Sequence, residues 1–265
     1  MPVYVKKLCF LLTLFCVQGI YADEYELNEF SLHADASKFA LGGLVCNYEP
    51  LMTDKLGITC LVPFQLKELS TRKLSLIKNA LGLSWSVDWY QSGDADWMEN
   101  NLGLHIEKKI GEHLWLGVQG WFLIVDTYNV NSRSTCFAEL DCRYILSDRF
   151  RIAFLLMNPG GARITSEIGK IPLSSTAHLG MRYSPANKCR LFCEMAVPLK
   201  HTVRGQLGME YSINDAFILR IGLSSRPLMP TWGLGGKVNR FQYSWGGSLH
   251  PVLGISNGFT LDYCL

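Results

Sequence analysis

Three sets of residues in this chain have types and spacings that suggest chemistry: a serine in a nucleophile-elbow string, histidines near acidic residues, and a group of cysteines. Gly254-Ile-Ser-Asn-Gly258 matches Gly-x-Ser-x-Gly. An elbow needs a strand before the serine and a helix after it, so that the hydroxyl stands on a sharp turn. Here the alternating segment Phe259-Thr-Leu-Asp-Tyr-Cys-Leu265 follows, and a strand is expected in the helix's place. The string therefore reads as a glycine-rich loop at a sheet rim. His105, His178 and His250 fall on polar faces of alternating segments, where Asp88 or Asp262 would be the acid–base partner. No nucleophile stands at a defined spacing from them, so they read as hydrogen-bonded polar residues. Asp94 and Asp96 lack the twelve-residue calcium-loop pattern and read as a solvated loop tip. The expectation is a protein that is not an enzyme, with no catalytic residue, cofactor or metal site.

The nine cysteines resemble a disulfide framework until they are placed. Cys9 and Cys16 lie in the N-terminal leader described below. Cys189 and Cys193 are four residues apart on one predicted strand, roughly 13 Å, which is beyond disulfide reach. Cys136 and Cys142 are farther apart still. All four fall on apolar faces, where a thiol behaves as a small hydrophobe. Zinc-ligand spacing is absent. The pairing of Cys46 with Cys60 stays open.

At the N-terminus, Lys6 and Lys7 precede the apolar run Leu8–Val17, and Gly19-Ile-Tyr-Ala22 offers a cleavage point before Asp23. Residues 1–22 are expected to be a secretory signal peptide; the run is too short to span a bilayer as a helix. Beyond it the chain carries 23 basic and 23 acidic side chains, so it has no footprint for nucleic acid. Charged residues make up 18% of the chain, hydrophobic residues 48%, and the mean hydropathy is +0.12. Such a composition is greasy for an exported protein, yet no later stretch reaches the length of a membrane-spanning helix.

The pattern that resolves this tension has period two. Leu83, Trp85, Val87 and Trp89 alternate with Ser84, Ser86, Asp88 and Tyr90, and similar alternation recurs to the C-terminus. Successive side chains of a strand point to opposite faces, so each segment has one apolar and one polar face. About fourteen strands are expected between residues 57 and 265. Tight turns such as Lys78-Asn79, Ser147-Asp148 and Asn214-Asp215 should alternate with longer connections at Ser92–Glu99, Asp126–Arg133, Pro159–Ser174 and Pro251–Ser256. A soluble β-sandwich would bury the apolar faces; an outer-membrane barrel would turn them to lipid. Even strand number, alternating turn length, segments of 9–14 residues and the apolar C-terminal strand favour an all-β, antiparallel transmembrane barrel. On its polar faces Glu139, Arg143, Arg182, Arg190, Glu194, Arg204, Glu210 and Arg220 are candidate lumen residues, because opposite charges can pair across a lumen. The chain then divides into a signal peptide (1–22), an N-terminal periplasmic or plug segment (23–56) and a barrel (57–265).

Several short motifs add a family resemblance. Ala34-Asp-Ala-Ser-Lys-Phe-Ala-Leu-Gly-Gly-Leu44 resembles the post-signal stretch of the FadL-like and PorV/PorQ-like barrels, and Pro63-Phe-Gln-Leu-Lys-Glu-Leu69 resembles a first-loop signature of the PorV/PorQ-like branch. Trp232-Gly-Leu-Gly-Gly236 and His250-Pro-Val-Leu-Gly254 resemble that branch's closing strands, with His250, Leu253 and Gly254 as a family-like turn. The resemblance implies a fourteen-stranded barrel of the outer membrane of a Gram-negative cell, with the N-terminal segment tucked into the lumen. The Asn-Pro-Ala turn of the fatty-acid branch is replaced near Tyr48-Glu-Pro50. The implied function is therefore transport or type IX protein secretion in the PorV/PorQ manner, with hydrophobic-compound transport as the alternative. A barrel enzyme acting on lipids and a secreted ligand-binding sandwich are the further readings. The implied partners are outer-membrane lipid and either secretion-machinery proteins or hydrophobic small molecules.

Overall fold

The computed structural model describes residues 34–127, 130–166, 169–214 and 216–265, so the expected signal peptide and residues 23–33 lie outside the described residues. The first strands are β1 (Lys55–Val62), β2 (Thr71–Ala80), β3 (Leu83–Gly93), β4 (Trp97–Ile110), β5 (Leu114–Thr127), β6 (Val130–Ile145) and β7 (Phe150–Met157). A small hairpin follows, β8 (Arg163–Ser166) and β9 (Gly169–Pro172). The wall resumes with β10 (Thr176–Ala186), β11 (Cys189–Pro198), β12 (Arg204–Asn214), β13 (Phe217–Ser224), β14 (Met229–Val238), β15 (Phe241–His250) and β16 (Gly254–Cys264). Outside the hairpin these are fourteen strands of one closed antiparallel barrel. The last strand closes on the first, with Lys55 opposite Cys264 and Val62 opposite Asn257.

The burial pattern is inverted relative to a water-soluble sheet. On β3, Ser84, Ser86 and Asp88 are buried, while Trp85, Val87 and Trp89 face outward. On β12 Leu207 and Met209 are exposed and Gln206 and Glu210 are buried. An exposed apolar belt is stable only where the surrounding medium is itself apolar, so the outward faces form the lipid surface of a transmembrane barrel. Tyr144, Tyr183, Tyr211 and Tyr263 face outward near the same ends of β6, β10, β12 and β16. An amphipathic phenol ring favours the boundary between hydrocarbon and water, so these tyrosines mark one membrane interface.

That interface lies at the rim of tight turns, where strands are joined by residues 81–82, 111–113, 146–149, 187–188 and 239–240. The described N-terminal segment enters β1 at this rim, and the Leu265 N–H donates to Asp54 O there at 3.0 Å. At the opposite rim, three connections expected to be long are short. The Ser92–Glu99 loop shrinks to residues 94–96, because Asp94 Oδ1 accepts from the Asp96 and Trp97 N–H groups (3.0 and 3.3 Å) and closes the turn. Most of the expected Asp126–Arg133 loop is strand, since β5 runs to Thr127 and β6 begins at Val130. The Pro251–Ser256 connection ends at Gly254, so the Gly254–Gly258 string is part of β16 and not a rim loop. Longer connections do occur at residues 63–70 and 158–175.

Two features set the shape of the lumen. Strands β4, β5 and β6 have 14, 14 and 16 residues, against 8–11 elsewhere in the barrel. Only Glu139–Ile145 of β6 pairs with β7, so the earlier part of β6 stands above it at the loop rim. Second, the inner face of β5–β7 is apolar toward the loop rim. Trp121, Leu123, Val125, Phe137, Leu155 and Met157 are buried together, roofed by Ile164 and Leu173 of the 158–175 connection. Each such side chain contributes roughly 1.5–3 kcal/mol when fully buried. The core of this protein therefore lies inside the barrel.

Candidate functional site

The lumen is occupied by the chain's own N-terminal segment. Its short helix α1 (Ala36–Ala40) begins at Asp35, whose carboxylate accepts the Ser37 N–H at 2.7 Å. Burial pushes the Asp35 carboxyl up, but the Lys55 charge and the Ser37 hydrogen bonds overcome it and hold the group below its ordinary value. The helix lies on a floor of glycines, Gly208, Gly222, Gly233, Gly246 and Gly258, carried by five consecutive strands, β12 to β16. A Cβ on Gly233 would stand 2.5 Å from the Ala40 Cβ, and one on Gly246 would stand 2.5 Å from Ala36 O. Both ends of α1 are tied to the wall: the Ala36 N–H donates to Thr260 Oγ1 and Thr231 Oγ1 donates to Ala40 O, each at 2.9 Å.

Beyond α1 the segment crosses the lumen and meets a buried carboxylate. Glu194 of β11 accepts the N–H groups of Val45 (2.9 Å) and Cys46 (3.0 Å) and the Tyr48 hydroxyl (2.9 Å), with His178 Nδ1 at 3.1 Å. Burial, followed by the Glu194 charge, pushes the Tyr48 hydroxyl and the Cys46 thiol up, so Tyr48 stays a protonated donor. Lys38 Nζ donates to Val45 O (3.0 Å) and Asn47 Oδ1 (2.5 Å), folding the segment on itself, and burial holds its pKa below the ordinary value. The reciprocal contact involves Glu49, whose carboxylate is paired with Arg151 and Arg182, while Arg143 donates to its carbonyl at 2.7 Å. A wall carboxylate thus grips the segment's backbone, and wall arginines grip its carboxylate.

Above the segment, at the loop rim, a cup of about 860 Å³ opens. Phe39, Gly42 and Val45 form its floor, and its sides carry Phe64, Trp97 and Met229 together with Arg204 and Arg226. The carboxylate on its wall, Glu99, is almost fully buried and accepts the Tyr90 hydroxyl at 2.9 Å. The Gln206 side chain, also buried, leaves its Oε1 without a partner among the described residues. On the other side of α1 lies a polar cavity of about 120 Å³ lined by Lys38, Lys55 and Lys73 and by Asp35, Asp88 and Asp262. Phe39 faces the cup and Lys38 the polar cavity, so the helix divides the two.

The eight candidate lumen residues occupy different sites. Arg143, Arg182 and Glu194 hold the plug segment. Glu210 bridges Arg190 and Arg220, at 2.8 Å to each. Glu139 is buried in the lumen wall of β6, and Arg204 faces the cup. The expected histidine partners are corrected: His105 Nε2 of β4 meets Asp141 of β6 at 2.7 Å, because Gly117 of the intervening β5 leaves room for the contact, and His178 meets Glu194 on the adjacent β11. Asp88 pairs with Lys73 and Asp262 with Lys55. His105, Glu107 and Asp141 converge closely, but Arg143 already bonds both carboxylates, so a resident cation fills that place. His250 closes the β15–β16 turn, its Nδ1 accepting from the Val252 and exposed Leu253 N–H groups (3.2 and 3.0 Å) just before Gly254. Ser256 Oγ accepts the Phe64 N–H at 2.9 Å inside β16, far from an elbow geometry. All seven described cysteines are free; Cys46 is buried in the lumen and Cys60 sits on the exposed face of β1. Glu49 and the cup aromatics escaped the sequence reading: Phe39, Glu49 and Phe64 lie outside the alternating strands, and Trp97 opens β4 within a stretch expected to be a loop.

No protein-family model matches the chain, and no curated protein matches it. Among solved structures, the chain is similar to the toluene transporter TodX of Pseudomonas putida, with a TM-score of 0.63 at 9% identity over 92% of this chain and 96% of that one. It is also similar to a TodX monoaromatic hydrocarbon channel carrying the deltaS2S3 deletion, with a TM-score of 0.60 at 10% identity over 91% and 97% of the two chains. At such identity the likeness is one of fold.

Proposed function

We propose that this protein is a non-enzymatic outer-membrane barrel that takes small hydrophobic or amphipathic molecules into the cup at its loop rim, as a channel of the hydrocarbon type. The observation that carries the reading is the cup itself, an aromatic and apolar recess with two arginines, closed below by α1. The fold it shares with a toluene transporter supports the hydrophobic-compound branch over the secretion-associated one. In a bacterial barrel the tight-turn rim is the periplasmic one, so the cup opens to the outside. The arginines hold a polar or anionic head, and Phe39, Phe64 and Trp97 hold the apolar part. Passage inward then requires α1 to move off its glycine floor and join the cup to the polar cavity beneath.

The test is binding and uptake by the reconstituted barrel. Toluene and decanoate should bind the wild-type protein, and Phe64→Ala with Trp97→Ala should weaken both by about tenfold or more, the loss expected for two aromatic contacts. Wild-type protein that binds neither probe overturns the reading. One feature favours a secretion-partner role as a second reading: the lumen is closed by the plug and by the β5–β7 core. Loss of secreted proteins on gene deletion, with hydrophobic-nutrient growth unchanged, would select it.

A further inference from the structure

The cup's mouth is walled unequally. On one side β4, β5 and β6 rise above the rest of the wall, and the 158–175 connection packs Ile164 and Leu173 into the lumen beside them. On the other side β11 to β16 have only 8–11 residues. Their connections at this rim are residues 199–203, 225–228 and 251–253; the first carries exposed Lys200 and His201, whereas the other two present apolar side chains outward, Leu228 65% and Val252 84% exposed with Leu253 beside it. Leu228, Val252 and Leu253 extend the lipid-facing belt, since Leu223 of β13, Leu249 of β15 and Ile255 of β16 also face outward below them. The turn that carries Leu228 outward carries Arg226 and Met229 toward the cup.

The height of this lip relative to the bilayer follows from the tyrosines at the tight-turn rim. Counted from Tyr211 and Tyr263, β12 and β16 run only eight and ten residues to their loop-rim ends, no more than the about 9–11 that a tilted strand needs to cross the hydrocarbon. The apolar tips therefore lie level with the outer leaflet, while the raised wall opposite stands above it.

We infer that amphiphiles resident in the outer leaflet enter the cup sideways, across the low lip of β13 to β16, while ligands dissolved in the medium enter it from above. The occupant is a membrane lipid with an anionic head: the head passes Arg226 to reach Arg204, and the tail slides over Leu228 and Val252 into the recess at Phe39 and Trp97. The inference rests on the cup being a ligand site, as proposed above. The cup's charges agree with it, since its lining carries two arginines, Arg204 and Arg226, against one carboxylate, Glu99.

The experiment uses the full barrel in vesicles with two photoreactive probes, a diazirine-tailed phosphatidylglycerol in the bilayer and a diazirine decanoate added from water. Labelled cup peptides are read by mass spectrometry. The lip variant is Leu228→Glu with Val252→Glu, both at exposed tips that bear on no packing. The initial rate of lipid labelling should fall by roughly tenfold in the variant, because charge now interrupts an apolar path, while decanoate labelling stays unchanged. Lipid labelling that is insensitive to the variant, or absent while decanoate still labels the cup, overturns the lateral route and leaves the ligand site standing. Equal loss of both labels overturns it too, since the lip would then serve either source. Failure of both probes on the wild-type protein removes the ligand site and the route with it.

Discussion

At the scale of single residues, the plug is held by a few charged groups whose partners are backbone atoms. Glu194 is 1% exposed and accepts three donors from the segment, a number only an ionised carboxylate satisfies well. Glu194→Gln keeps the shape and removes the charge, which should cost about 1.5–3 kcal/mol. The expected outcome is new protease cleavage within residues 34–54 of the still-folded barrel and a lower urea midpoint. A plug as protected as in the wild type would show that other contacts hold it. Glu194 could be assigned to the lumen from sequence, because it sits on the polar face of an alternating strand, as do Arg143 and Arg182. What they hold was not legible. The partner segment has no period, and its donors are main-chain N–H groups that every residue except proline carries.

Elements were legible wherever one face met lipid and the other met polar groups, since alternation is the direct consequence of two different media. Each of the fourteen barrel strands overlaps a segment marked by alternation, but boundaries move by up to four residues: β1 begins at Lys55, β6 at Val130, and the expected Lys78-Asn79 turn lies inside β2, the chain turning at residues 81–82 instead. Alternation fails where both media are apolar. Trp121-Phe-Leu-Ile-Val125 and Ala153-Phe-Leu-Leu-Met157 are unbroken apolar runs, and those are the stretches of β5 and β7 that separate lipid from the inner core. The runs were the available signal for a filled lumen. The glycines of the polar faces were a second signal, for they mark where a helix approaches the wall too closely for a side chain. Gly246→Val should therefore clash with Ala36 O and Ala40 N of the plug and cost about 1–3 kcal/mol by overpacking, or expel the plug and raise ion conductance in planar bilayers. Gly120→Ala is the control: it lies on the outward face of β5 with open space around it, and should change neither stability nor conductance.

For the molecule as a whole, the inverted surface makes a test that no soluble fold passes. Leu207 faces outward on β12 and is 54% exposed, beside the inward-facing Gln206. Leu207→Arg should cost about 2–4 kcal/mol near the bilayer midplane, whereas Leu207→Trp should be nearly neutral because lipid yields to a larger ring. Unfolding in vesicles, followed by heat-dependent gel mobility, measures both, and a tryptophan as damaging as the arginine would mean a packed protein core at that face. The plug adds a consequence for assembly. Its partners Glu194, Thr231 and Thr260 lie 149, 191 and 224 residues further along the chain, so the segment synthesised first can dock only when the final strands exist. Contacts of such sequence separation form late and slowly. The nascent N-terminus must wait, undocked, until β12 to β16 supply its glycine floor, and the β1–β16 seam then closes around a segment already inside.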